Sequence, residues 1–91
     1  MNFIYPAIIR KTEKGYHARF PDLAMCEAEG PTLDETLDLA RHEMEDWIRA
    51  EFEEEEPEMP PIRDPDDIEL ADGEFVRNIL VIYRFYDGWD E

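Results

Sequence analysis

The chain has no serine and a single cysteine, and its nine basic residues stand against 25 acidic ones in a length of 91. The lack of serine removes serine-hydrolase chemistry. With Cys26 alone, no intramolecular disulfide framework can form. Cys26, His17 and His42 do not fall at a zinc-ligand spacing. Neither a P-loop nor a GxGxxG stretch occurs, so no glycine-rich phosphate cradle is present. The longest apolar run, Ile79 to Tyr83, is far too short to span a bilayer. No N-terminal segment has the basic, apolar and small-residue order of a signal peptide. These absences predict a soluble, cytoplasmic protein with no membrane partner.

What the chain does have is charge of one sign, −16 net with a sequence pI near 4.2. Such a surface repels phosphate backbones and anionic lipids. Arg10, Lys11 and Lys14 cluster at the first turn, but a basic stripe is missing, so no direct DNA or RNA binding is expected. The charge suits a basic protein partner, steered from a distance; the plain alternative is solubility. Hydrophobic content of 43% and aromatic content of 12% argue for a folded chain. A single domain over 1–91 with one modest core is expected, burying ~60–65% of the surface its unfolded form exposes.

Residues 3–11 alternate around Phe3, Tyr5, Ala7 and Ile9, the period-2 pattern of a strand. Pro6 lacks an amide donor and belongs at an edge or on the unpaired side of that strand. Thr12 to Gly15 make a short polar turn, and Tyr16, Ala18 and Phe20 alternate with His17 and Arg19 in a second strand. Pro21-Asp22 then breaks the chain, and a short third strand is expected from Met25 to Glu29, stopped by Gly30-Pro31. Thr32-Leu33-Asp34-Glu35 is a capping box that opens a helix. Leu33, Leu37, Ala40, Met44, Trp47 and Ile48 give that helix one apolar stripe, and Glu45 and Arg49 are placed for an i,i+4 pair. An acidic, proline-rich connector follows over about 53–72, with Pro57 ending any residual helix and Asp72-Gly73 turning the chain. A last strand over about 74–86 has apolar side chains on both parities, so it is covered on both faces or pairs in a homo-oligomer. The order β-β-β-α-β predicts a two-layer α+β domain: an antiparallel three-stranded sheet, a helix and a C-terminal strand.

Abundant carboxylates raise the possibility of a metal-dependent nuclease, which needs several acids converging on a hard cation. Asp22, Glu27 and Glu43 are the candidates, but most of the acid lies elsewhere: residues 43–58 hold nine acidic groups against Arg49 alone. That is the composition of a solvated or partner-facing surface. Cys26 reads as a structural thiol. His17 reads as exposed on the polar parity of its strand, and His42 as a helix-surface residue beside Asp38 and Asp46. On these residues no catalytic, metal or cofactor site is expected.

Tyr5-Pro6-Ala7, Gly15-Tyr16, Phe20-Pro21-Asp22-Leu23 and Gly30-Pro31-Thr32-Leu33-Asp34-Glu35 stand in an order and spacing that resemble the N-terminal domain of the HicB-like antitoxin family. The resemblance covers residues 3–50 best and the last strand more loosely. It implies a truncated RNase H-like fold without nuclease carboxylates. It also implies binding to a small basic HicA-like mRNA-cleaving toxin. Two departures stand out. Where the family commonly has Pro-Gly-Cys, this chain has Ala24-Met25-Cys26, which sets a side chain where glycine-like angles are expected. The C-terminal DNA-binding domain of many members has no counterpart after Tyr86. The expected partner surface is the acidic helix end, Glu51, Glu53, Glu54, Glu55 and Glu56, with Trp47, Phe52 and Trp89 as apolar anchors. The alternatives are an orphan homo-oligomeric interaction domain and, less favoured, a residual RNase H-like nuclease.

Overall fold

The computed structural model describes residues 2–56 and 58–82. Strands β1 (Asn2–Thr12) and β2 (Gly15–Arg19) form the hairpin that their alternation predicts, with Thr12 paired to Gly15 across Glu13 and Lys14. Two-residue hairpin loops usually carry positive φ inside the loop. Here Gly15 takes it instead, at φ 151°, because among the described residues Met25 is the one non-glycine with positive φ.

Strand β3 (Glu27–Gly30) pairs with β2, and β4 (Phe75–Ile82) returns along the other flank of β1. The result is one antiparallel four-stranded sheet in the order β3-β2-β1-β4. Pro6 lies opposite Asn78 of β4, in the part of β1 that β2 does not reach, since that register begins at Ile8. Its missing N–H therefore breaks no bond to β2.

Helix α1 (Leu33–Phe52) packs on one face of the sheet, across β2, β3 and β4. The Glu35 amide donates to the Thr32 hydroxyl oxygen at 3.1 Å, as the cap predicts. The Glu35 carboxylate reaches the Thr32 hydroxyl (3.4 Å), where the capping-box pattern predicts the Thr32 amide. Ala40, Met44 and Ile48 are fully buried against Tyr5, Ala7, Ile9, Ala18, Phe20, Leu23, Ile79 and Val81. Burying each large side chain of this set is worth ~1.5–3 kcal/mol, which outweighs the ~1 kcal/mol of the cap. Thr36, outside the predicted stripe, is also fully buried. Its hydroxyl donates to the Thr32 carbonyl at 2.7 Å, so it enters the core with its polar atom satisfied.

The third strand starts at Glu27 and not at Met25. Residues 20–26 form a closed corner instead: the Phe20 amide donates to the Cys26 carbonyl (3.0 Å), Leu23 to Phe20 (3.3 Å) and Cys26 to Leu23 (3.2 Å). Closing it puts Met25 at φ 61° with its side chain 97% exposed. A left-handed residue with a Cβ costs ~1–2 kcal/mol, and glycine gives back part of that in the unfolded chain, ~0.4–1 kcal/mol. Met25→Gly is therefore expected to raise stability by about 0.5–1 kcal/mol in urea denaturation. A drop in stability would mean that Met25 makes contacts beyond its backbone.

The connector is not wholly irregular: Pro65–Asp67 form one 3₁₀ turn, with the Asp64 side chain accepting from the Asp66 amide at 3.0 Å. The Asp72-Gly73 turn is present, with Gly73 at φ 85° and the Glu74 amide donating to the Ala71 carbonyl at 3.1 Å. β4 begins one residue later than 74. Residues 83–86 of the expected strand, and Pro57, lie outside the described residues.

Candidate protein-interaction surface

Helix α1 ends at Phe52, and Glu53 caps it through its amide, which donates to the Ala50 carbonyl at 3.2 Å. Glu53, Glu54, Glu55 and Glu56 are all exposed. Among the described residues no cation lies within ion-pair distance of them. Carboxylates at a helix C-terminus face the negative end of the helix dipole, so they weaken the helix that carries them. Arg49, in the last turn, offsets part of this and pairs with Asp46 (2.7 Å) and Glu45 (3.9 Å).

The apolar residues beside this run have internal partners. Trp47 is half-buried, and its Nε1 donates to the Ala24 carbonyl at 3.0 Å, tying the helix to the Met25 corner. Phe52 packs on Phe3, with ring centroids 5.9 Å apart and a 50° tilt. Glu51 accepts the Glu58 amide at 2.9 Å and turns the chain back toward the sheet. Each keeps part of its surface open, so the helix end presents charge on a fixed apolar base. Trp89 lies outside the described residues.

The ordered motif turns out to hold the connector. The Tyr5 hydroxyl donates to the Pro60 carbonyl at 2.5 Å. The Asp22 carboxylate, 5% exposed, accepts from the Arg63 amide (2.8 Å) and from Arg63 Nε (3.2 Å). Burial, and then the nearby Asp22 charge, push the Tyr5 phenol up from its ordinary value, so it stays a donor. Phe20 and Leu23 are core residues, Pro6 is buried in β1, and Tyr16 packs at the core margin. Pro21 sits half-exposed at the corner. Gly15 and Gly30 allow a close backbone crossing, and Thr32 with Glu35 form the cap. Sequence reasoning missed Pro60 and Arg63, which lie 55 and 41 residues from their partners.

The three carboxylates weighed for metal chemistry are not brought together as a cluster. Asp22 is engaged by Arg63, Glu27 lies 2.6 Å from His17 Nε2, and Glu43 is exposed on α1. Among the described residues no three His, Cys, Asp or Glu side chains are arranged to hold a metal ion. His17 corrects the sequence reading: its side chain is only 14% exposed. Arg10 on β1 and Glu29 on β3 are its cross-strand neighbours, and the Glu27 carboxylate lies 2.6 Å from its Nε2. His42 is exposed, as expected. Cys26 is buried, and burial, then the charges of Glu43, Asp46 and Glu27, push its thiol up to about 12. It stays protonated and unreactive. Glu74 is held below the usual carboxylate range by the Ala71 amide and then by Arg19, 3.6 Å away, which fixes the turn into β4. Among the described residues no helix is long and apolar enough to cross a membrane.

A scan against protein-family models finds no match, and neither does a search of curated proteins. Solved structures do match. One chain of a HicA3 and HicB3 toxin-antitoxin complex superposes with a TM-score of 0.66 at 28% identity, over 84% of this chain and 94% of that one. The crystal structure of antitoxin HicB3 superposes with a TM-score of 0.68 at 30% identity over 85% of this chain. The chain is HicB-like. It spans 60% of the length of that HicB3 antitoxin. In this chain Tyr5 and Asp22 of the motif are bonded to the connector, and Thr32 and Glu35 to each other at the helix cap.

Proposed function

We propose that this HicB-like chain is a non-catalytic antitoxin that works in the cytoplasm by binding and neutralising a small basic HicA-like mRNA-cleaving toxin. The observation that carries the reading is the likeness to the HicB3 antitoxin, 30% identity over 85% of this chain. The charge of −16 supports it, because a nuclease that grips RNA is itself basic. The sheet and helix are then a truncated RNase H-like scaffold whose acids serve recognition. Asp22, the buried carboxylate of the motif, is already paired with Arg63.

Binding needs no chemistry from this chain. The exposed Glu53–Glu56 run raises the local concentration of a cationic partner, and Trp47 and Phe52 give the contact an apolar base that does not have to be ordered on binding. Occupying the toxin's cationic RNA groove is enough to stop cleavage. No DNA, RNA or membrane contact by this chain belongs to the reading.

Co-expression with the product of an adjacent small basic gene tests it. The expected result is co-purification of the two proteins and rescue of growth. A soluble, folded chain that neither binds nor protects would end the antitoxin reading.

A further inference from the structure

Met25 is 97% exposed, on a backbone held at φ 61°. The corner that carries it is fixed on both sides. Leu23 and Cys26, flanking Ala24-Met25, are buried in the core, and the Trp47 Nε1 donates to the Ala24 carbonyl at 3.0 Å. Isolated exposed apolar side chains are ordinary on protein surfaces. This one stands on rigid backbone at an angle that glycine adopts at lower cost, and backbone strain of this kind gathers at binding sites.

The surroundings define what fits it. Ala24 is exposed beside Met25, and Trp47 keeps part of its surface open, so the three make one apolar knob. Carboxylates ring it. Glu27 stands two residues along the chain, and the charges of Glu43 and Asp46, both exposed on α1, reach the neighbouring Cys26. Glu27 is paired with His17 and Asp46 with Arg49, whereas Glu43 has no cation within ion-pair distance among the described residues. An apolar knob in an acidic ring repels nucleic acid, anionic lipid and a second copy of a chain at −16. It attracts a surface that is apolar at its centre and basic at its rim. The knob also runs on into the acidic helix end, since Glu53 lies ~9 Å beyond Trp47 along the helix axis.

We infer that Met25 is the apolar anchor of the contact with a basic partner protein: its side chain enters an apolar pocket of that partner, and Glu27, Glu43 and Asp46 meet cations at the pocket's rim. The inference deepens the antitoxin reading and rests on it, the partner being the HicA-like toxin. Methionine suits the role, because its unbranched thioether adapts to an irregular pocket. The backbone already positions the anchor, so binding orders only its side chain. Met25 carries no charge and therefore acts after encounter, on the dissociation rate.

Binding kinetics with the product of the adjacent small basic gene test this on two variants. Met25→Gly is expected to speed dissociation by about tenfold or more with the association rate unchanged, in a chain that folds at least as stably. Met25→Leu keeps an apolar side chain of similar size and is expected to restore most of the lost residence time. Equal dissociation rates for Met25→Gly and the unmodified chain overturn the inference and leave the antitoxin reading standing. A loss that Met25→Leu shares in full, or that falls on the association rate, overturns the anchor role as well. If the unmodified chain does not bind the toxin, the antitoxin reading and the inference fall together.

Discussion

Gly15→Ala is expected to remove roughly 3 kcal/mol or more of folding stability, the sum of backbone strain and overpacking that cost ~1–3 kcal/mol each. The strain comes from φ 151°, a conformation that side chains rarely adopt. The overpacking comes from β3. A Cβ at position 15 would stand 2.0 Å from the Gly30 oxygen, 2.7 Å from Pro31 Cα and 2.9 Å from the Gly30 carbonyl carbon. All three are backbone atoms, and the segment that holds them has little room to move. Gly30 is paired to Tyr16, and a Cβ at Gly30 itself would lie 2.9 Å from the Thr36 hydroxyl of α1. Helix, third strand and hairpin thus meet at one crossing with no side chain between them. Against a total of ~5–14 kcal/mol for a chain of this length, the substitution takes a large share. Urea denaturation followed by circular dichroism measures it. A loss under about 1 kcal/mol would show that the crossing opens easily.

That crossing also shows where sequence reasoning stops. The hairpin, the corner, the cap and the helix stripe are local patterns, and each lies within a few residues of where its period or its capping residue places it. Gly15 was readable as a turn residue, but its second constraint comes from Gly30, which only the folded sheet brings near. Thr36 reads as a surface residue by type. It is buried because its hydroxyl bonds back to the helix's own Thr32 carbonyl, a bond that hydrophobic periodicity ignores. Met25 looked like the start of a strand by its residue type, although the family resemblance marked its position as one of glycine-like angles, and φ 61° bears that out. Asp22 and Tyr5 were legible as motif members but not as anchors of the connector, because their partners Arg63 and Pro60 sit in a segment without periodicity. The candidate surface was more legible. A run of like charge with no apolar phase can only be solvated, so Glu53–Glu56 was placed outside the fold from composition alone. Trp47 and Phe52 are also held internally, by Ala24 and Phe3, which a list of exposed anchors could not show.

Replacing Glu53, Glu54, Glu55 and Glu56 together by glutamine separates the two uses of the helix end. The four carboxylates are exposed, pair with no cation among the described residues and face the negative end of the α1 dipole. Their removal is therefore expected to leave the melting temperature unchanged or slightly higher. Association with the basic toxin proposed above is expected to slow by about 10–100-fold at low salt, because long-range steering acts chiefly on the on-rate. The difference from the unmodified chain should shrink as salt brings the screening length to ~8–10 Å and below. Stopped-flow or surface-based kinetics at two ionic strengths read both effects. A dissociation rate that changes while the association rate does not would place these carboxylates in direct, desolvated contacts. If neither rate changes, with the toxin still bound, the docking surface lies elsewhere. The next region to test would be the connector acids Asp64, Asp66 and Asp67, which the Tyr5–Pro60 and Asp22–Arg63 bonds hold close to the domain.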